Sequence, residues 1–85
     1  MNAFDAQLSA LPLGTFFGTA HGRRYVVTKS AFACGKSIKL VAEELGGTDY
    51  ISLNWYHLAS GPRLKPCEMP AAKVRDFVYA LVPDP

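Results

Sequence analysis

Apolar and polar residues alternate on both sides of the Gly46-Gly47 pair, and this alternation is the clearest pattern in the chain. If the two glycines form a two-residue turn, each apolar residue of one segment falls opposite an apolar residue of the other. The pairs are Ala42 with Ile51, Leu40 with Leu53, and Ile38 with Trp55. Because strand side chains alternate between the two faces of a sheet, a slip of one residue would mix the two sets. The pattern therefore predicts an antiparallel hairpin with one buried face.

A helix over Ser37 to Leu45 is the competing interpretation of the first half of this hairpin. Apolar residues follow helical spacing there, and Lys, Leu, Ala and Glu are good helix formers. The cross-strand agreement favours the strand, because a helix gives no reason for the matching pattern on the far side of the glycines.

A second hairpin precedes the first. The segments Gly14 to Ala20 and Arg23 to Ser30 flank His21-Gly22, and a tight turn at these two residues sets Phe16 opposite Val27. A short connection to the next strand then predicts two further neighbours, Val27 beside Ile38 and Tyr25 beside Leu40, if Ser30 pairs with Gly35.

The remaining segments predict one short strand and two helices. A fifth strand from Leu64 to Met69 sets Leu64 opposite Leu58 and Cys67 against Trp55, and its Pro66 suits an edge strand. Residues 2 to 11 read as a short helix capped by Asn2, and Pro70 starts a longer helix that ends before Pro83. The apolar stripes of these helices are Phe4, Leu8 and Leu11 in the first, and Val74, Phe77, Val78 and Leu81 in the second.

These elements predict an α+β fold for a single domain, residues 1 to 85. We expect a four- to five-stranded antiparallel β-meander, a C-terminal α-helix packed across one face, and a short N-terminal helix. Two arrangements remain open for the second face of the sheet. It is either open, or partly covered by the N-terminal helix, and the covered arrangement is favoured because Phe17, Val26 and Val41 need shielding.

The composition is that of an ordinary globular protein. Hydrophobic residues make up 49% and charged residues 19% of the 85 residues, and the formal net charge is +2. No apolar run is long enough to cross a membrane, and the first residues lack the pattern of a secretory signal. Cys34 and Cys67 have no paired spacing, which indicates reduced thiols rather than a disulfide framework. We therefore expect a cytoplasmic protein without membrane association.

Candidate chemistry is weak at each position that could carry it. Gly35-Lys36-Ser37 resembles the end of a phosphate-binding loop, but Ser30 stands where that motif needs its first glycine. The zinc-ligand types are not spaced in pairs; they are His21, Cys34, His57 and Cys67. No nucleophile, base and stabilising group can be brought together from the pattern. The expectation is a protein that is not an enzyme and has no metal or cofactor.

The second face of the sheet is the candidate binding surface. Its candidate binding residues are Phe17, Arg24, Val26, Lys39, Tyr50, Asn54 and Tyr56. The predicted register sets Phe17, Val26, Lys39 and Asn54 in one row, and the other cations are expected to be scattered charges that confer solubility. The favoured function is self-association or protein binding, through burial of the aromatic residues. The alternative is single-stranded nucleic-acid binding, with bases on the aromatic rings and phosphates on Lys39 and Arg24.

Overall fold

A computed structural model describes residues 3–32, 34 and 36–85 of the chain. Its elements are α1 (Ala3–Ala10), β1 (Gly14–Ala20), β2 (Arg23–Phe32), β3 (Ser37–Glu44), β4 (Tyr50–Leu58), β5 (Gly61–Pro66), α2 (Ala71–Ala80) and β6 (Val82–Pro83). The predicted α+β class, the antiparallel sheet and both helices are confirmed. The predicted roles of Asn2 and Gly35 lie outside the described residues.

The sheet has six strands in the order β5-β4-β3-β2-β1-β6, whereas the sequence predicts four to five. The additional strand, Val82–Pro83, forms because the chain leaves α2 in an extended conformation at Leu81 and runs antiparallel beside β1. Gly18 leaves space for this passage. A Cβ atom on Gly18 would lie 2.9 Å from Leu81 Cδ1 and 3.0 Å from the Val82 carbonyl oxygen.

Two of the predicted registers are confirmed. Phe16 pairs with Val27 in the first hairpin, and Leu40 pairs with Leu53 in the second. The segment from Ser37 to Glu44 is a strand, so the helical alternative is wrong.

The predicted register between β2 and β3 is wrong by four residues. Val27 pairs with Ala42 and Ala31 with Ile38, because β2 continues to Phe32 before the chain turns. A shift by an even number of residues leaves every side chain on its predicted face, so the polarity pattern could not detect it.

The predicted register between β4 and β5 is wrong by three residues. A turn of two residues follows Leu58, so that Leu58 pairs with Gly61 and Trp55 pairs with Leu64. This odd shift moves Leu64 against the core and moves Cys67 to the other face, beside Ser52. The predicted contact of Cys67 with Trp55 is therefore wrong. Leu64, which has a larger apolar side chain than Cys67, lies opposite Trp55 instead.

Both helices pack on the same face of the sheet, which we call the covered face. The ring of Phe4 in α1 lies 5.3 Å from that of Trp55 and 6.2 Å from that of Tyr79. The Phe77 ring of α2 lies 4.9 Å from that of Tyr25. The prediction that the N-terminal helix covers part of the second face is therefore wrong. Helix α1 instead completes the core around Trp55.

One lysine is buried in this covered face. Lys29 is 5% exposed, and its Nζ donates hydrogen bonds to the carbonyl oxygens of Leu8, Ser9 and Leu11 at 2.8, 3.2 and 2.8 Å. Leu8 and Ser9 lie in the last turn of α1 and Leu11 follows its end, where a positive charge also interacts favourably with the helix dipole. Burial lowers the pKa of the Lys29 ammonium group. Lys29 thus fastens a short helix that would not be stable alone.

Candidate binding face

The side of the sheet opposite the two helices is the open face, and no described element packs over it. Its residues, strand by strand, are Thr15, Phe17 and Thr19 in β1; Arg24, Val26, Thr28, Ser30 and Phe32 in β2; Ser37, Lys39, Val41 and Glu43 in β3; Tyr50, Ser52, Asn54, Tyr56 and Leu58 in β4; Arg63 and Lys65 in β5; and Val82 in β6. The face exists because its residues alternate along each strand with residues that point to the side of the helices.

All seven predicted binding residues lie on the open face, but they do not form one group. The corrected register puts Phe17, Val26, Glu43 and Tyr50 in one row, and Ser30, Lys39, Asn54 and Lys65 in another. The predicted row that joined Phe17 and Val26 to Lys39 and Asn54 is therefore wrong. The predicted residues divide between two regions of the face.

The first region is apolar, and we call it the Phe17 patch: Phe17, Val26, Val41 and Val82. Phe17 lies directly opposite Val26 and is 49% exposed, while Val82 is 65% exposed. Tyr50, which is 45% exposed, lies beyond Glu43 in the same row and has the Lys73 ammonium 5.8 Å from its ring centre. Phe17 and Val82 thus form an exposed apolar group at the β1 side of the face, while Phe32 and Leu58, 55% and 43% exposed, lie at its opposite end.

Arg24 lies beside this patch, but its charge is already paired. Its two terminal nitrogens donate hydrogen bonds to the carboxylate of Asp84 at 2.6 and 2.7 Å. This bidentate contact lowers the pKa of Asp84 and raises the pKa of Arg24. Arg24 therefore fastens the C-terminal segment to β2.

The second region is the basic corner: Lys39, Arg63 and Lys65 lie on the open face around Tyr56 and Asn54, and Lys36, just before β3, lines a groove with Tyr56 at the end of the sheet. Arg63 pairs with Tyr56 across the strands, and Lys39 and Lys65 lie on either side of Asn54. All four cations are exposed, and none forms an ion pair within the described parts of the chain. The corner therefore carries uncompensated positive charge.

The other five cations of the chain are arranged differently. Arg23, Arg24 and Lys73 form ion pairs with Glu44, Asp84 and Asp49, and Lys29 is buried under α1. Arg75 is exposed on α2, in the layer on the other side of the sheet. Four of the nine Lys and Arg residues thus converge on one corner, and the prediction that the cations are scattered does not describe them.

Two grooves meet at Tyr56 in the basic corner. One has a volume of about 640 Å³ and lies between Lys36, Tyr56 and Leu58, and the other, of about 330 Å³, is lined by Tyr56, Leu58, Arg63 and Lys65. Tyr56 is half-buried and lines both grooves. The corner combines an aromatic surface with positive charge.

A network of polar side chains joins the covered face to α2 at one end of the sheet. Asp49 accepts hydrogen bonds from Tyr25 Oη at 2.9 Å and from Lys73 Nζ at 2.7 Å, and these contacts lower the pKa of Asp49. Burial and the hydrogen bond to Asp49 raise the pKa of Tyr25. His21 Nε2 lies 2.7 Å from the Asp76 carboxylate beside a pocket of about 110 Å³. These contacts fasten two turns to α2.

The candidate zinc ligands do not come together in the residues that the structure describes. No group of three His, Cys, Asp or Glu side chains there could hold a metal ion. His21 contacts Asp76, and the thiol of Cys67 accepts a hydrogen bond from Asn54 Nδ2 at 3.5 Å. Cys34 is exposed.

Comparison of the chain with models of protein families, with curated proteins and with solved structures found no match. Among the described residues, neither helix has the length and apolar character needed to span a bilayer. The open face, with its exposed aromatic residues and its cations without ion pairs, is the candidate binding surface of the described residues.

Proposed function

We propose that this chain is a non-enzymatic interaction module that self-associates through the Phe17 patch on its open face. One observation carries the proposal. Phe17 remains 49% exposed beside Val26 although both helices pack on the other side of the sheet. Exposed apolar groups gathered in one place are typical of a surface that contacts another protein. A second copy of the chain supplies a matching surface, because a two-fold contact buries the same patch on both copies.

The edges of the sheet support a contact through the face. The β5 edge contains Pro62 and Pro66, which cannot donate backbone hydrogen bonds to an added strand. The other edge is β6, which is only two residues long and includes Pro83. Short strands and prolines are the features that protect sheet edges from pairing.

The non-enzymatic part of the proposal rests on the arrangement of the polar groups. The one His–Asp contact among the described residues, His21 with Asp76, has no hydroxyl or thiol hydrogen-bonded to it there. The neighbouring Asp49 is engaged by Tyr25 and Lys73. These contacts are those of a structural network that joins turns to α2. A cytoplasmic location is also part of the proposal, and the unbridged thiols of Cys34 and Cys67 support it.

Sedimentation velocity from micromolar to millimolar concentration tests the self-association. We expect the mass of the wild-type protein to rise with concentration, and the double variant Phe17→Thr/Val26→Thr to shift the midpoint upward by about tenfold or more. Burial of one Phe side chain contributes roughly 1.5–3 kcal/mol, and 1.4 kcal/mol corresponds to a factor of ten. Threonine keeps the preference of these positions for strand.

The control is Leu45→Thr, because Leu45 is 44% exposed but lies in the turn between β3 and β4. This variant should associate like the wild type. A wild-type protein that stays monomeric over the whole range, or a Leu45→Thr effect equal to that of the double variant, contradicts the proposal.

A further inference from the structure

We infer that the basic corner of the open face is a binding site for single-stranded nucleic acid, with a base stacked on Tyr56 and phosphates held by Lys39, Arg63 and Lys65. This site uses residues outside the Phe17 patch. The inference therefore goes beyond the proposed self-association and does not depend on it.

Charge complementarity is the first argument. Four cations without ion pairs lie at this corner, whereas three of the other five are neutralised by carboxylates and one is buried. The nearest acidic residue of β3 on this face is Glu43, four residues along the strand from Lys39. At about 3.3 Å per residue, this separation is about 13 Å, which is more than a Debye length at 0.1 M salt. The corner therefore has an attraction for anions that the rest of the face lacks.

The spacing of the cations fits a chain of phosphates better than one small anion. Lys39 and Lys65 are in the same row with Asn54 between them, so their strands are separated by two strand spacings, or about 10 Å. Arg63 lies one row further along, directly beside Tyr56. A ligand that satisfies all of them must carry several negative charges over a distance.

The position of Tyr56 favours a single-stranded over a double-stranded nucleic acid. Tyr56 lines both grooves of the corner, one together with Lys36 and the other together with Arg63 and Lys65. Proteins that bind single strands combine a positive groove with aromatic rings on which bases stack. The bases of a duplex are stacked on each other, and their flat faces cannot reach a ring in a sheet. An acidic peptide supplies the charge but has no base to stack on Tyr56.

Fluorescence anisotropy with a labelled oligothymidine of about 15 nucleotides, a length within the usual site sizes, is the direct test. We expect binding at about 50 mM salt that weakens as salt rises, because phosphate contacts release counterions. Three to four contacts give a slope of log Kobs against log salt of about −2 to −3, which is roughly a 15- to 50-fold loss between 50 and 200 mM.

Single substitutions separate the two kinds of contact. Lys39→Gln and Lys65→Gln should each reduce the magnitude of the slope by about 0.7, which is one phosphate contact. Tyr56→Ala should weaken binding by about 5- to 150-fold at fixed salt with little change of slope, because it removes stacking only. Tyr56→Phe keeps an aromatic ring and should retain the affinity. Circular dichroism of each variant verifies that it is folded.

The matched control is Arg75→Gln, which removes an exposed cation from the helical layer and should leave the affinity and the slope unchanged. The inference is overturned if the oligonucleotide does not bind at 50 mM salt. It is also overturned if a duplex of equal length or polyglutamate of equal charge binds as tightly, or if Arg75→Gln and Lys39→Gln have equal effects. The Phe17→Thr/Val26→Thr protein should still bind the oligonucleotide, so failure of the proposed self-association is distinguishable from failure of this site.

Discussion

Lys29 and Lys39 lie on adjacent strands of one sheet and have opposite surroundings. Lys29 points into the covered face, is 5% exposed, and donates hydrogen bonds to three carbonyl oxygens at the end of α1. Lys39 points into the open face, is exposed, and forms no ion pair with any described residue. The comparison shows that the face on which a lysine lies decides whether its charge stabilises the fold or remains available to a ligand.

The largest expected difference between the two faces is the effect of a substitution on the free energy of unfolding. Two neighbouring residues of β3 allow this difference to be measured. Leu40 is fully buried on the covered face, and Lys39 precedes it on the open face. Leu40→Ala should lower the free energy of unfolding by about 2–5 kcal/mol, because it leaves a cavity in the core. Lys39→Ala should change it by less than about 0.5 kcal/mol. Urea denaturation measures both, and equal effects would show that the faces are assigned wrongly.

A smaller effect is expected when the two lysines themselves are compared. Lys29→Met keeps the length of the side chain but leaves the carbonyl oxygens of Leu8, Ser9 and Leu11 without their donor, and we expect a loss of about 1–3 kcal/mol in stability. The same substitution at Lys39 should be nearly neutral. Amide hydrogen exchange should show faster exchange in α1 of Lys29→Met. If α1 remains as protected as in the wild type, Lys29 does not fasten it.

The smallest expected effect concerns two paired aspartates. Asp49 accepts hydrogen bonds on the covered side, while Asp84 pairs with Arg24 on the open side, and both have a lowered pKa. A carboxyl group whose pKa is lowered by folding contributes stability that is present above its ordinary pKa of about 3.8 and is lost as pH falls through the folded value.

The free energy of unfolding of Asp49→Asn should therefore fall less than that of the wild type as pH is lowered below about 3.8. The change should be at most about 1 kcal/mol, because the Lys73–Asp49 pair is partly exposed. Urea denaturation of both proteins at pH 7 and at pH 3 measures it. Asp84 is present in both, so their difference isolates Asp49. Identical acid dependence in the two proteins would contradict the role assigned to Asp49.

The sequence predicts the sheet face on which each strand residue lies better than it predicts which residues lie opposite each other on adjacent strands. Polarity alternates with period two, so it identified the face of the residues that it assigned to the first four strands, even though β2 continues to Phe32 and pairs with β3 four residues away from the predicted register. Distances along a strand are not encoded in that alternation. For this reason, Lys39 was predicted beside Val26 and Phe17, whereas it lies two rows away from them.

The alternation of polar and apolar residues does not predict the basic corner, for a related reason. Arg63 and Lys65 belong to β5, whose predicted register was wrong by an odd number of residues, and only the correct turn after Leu58 brings them beside Tyr56 and Asn54. The signal that could have found this turn is Gly61, which has a positive φ of 119°. The burial of Lys29 had no local signal, because its partners are carbonyl oxygens in a helix about twenty residues away.

The two prolines of β5 have a consequence for how large an assembly can become. Cys67 donates its backbone N–H inward to Ser52, so the alternation of an antiparallel ladder directs the positions of Pro62, Leu64 and Pro66 outward. Of these three residues, only Leu64 has a backbone N–H. The β5 edge therefore offers one hydrogen-bond donor to an added strand, whereas continuous growth of the sheet needs a row of donors. If copies pair through the Phe17 patch as proposed, this edge does not add further chains, and fibril-like elongation along it is blocked.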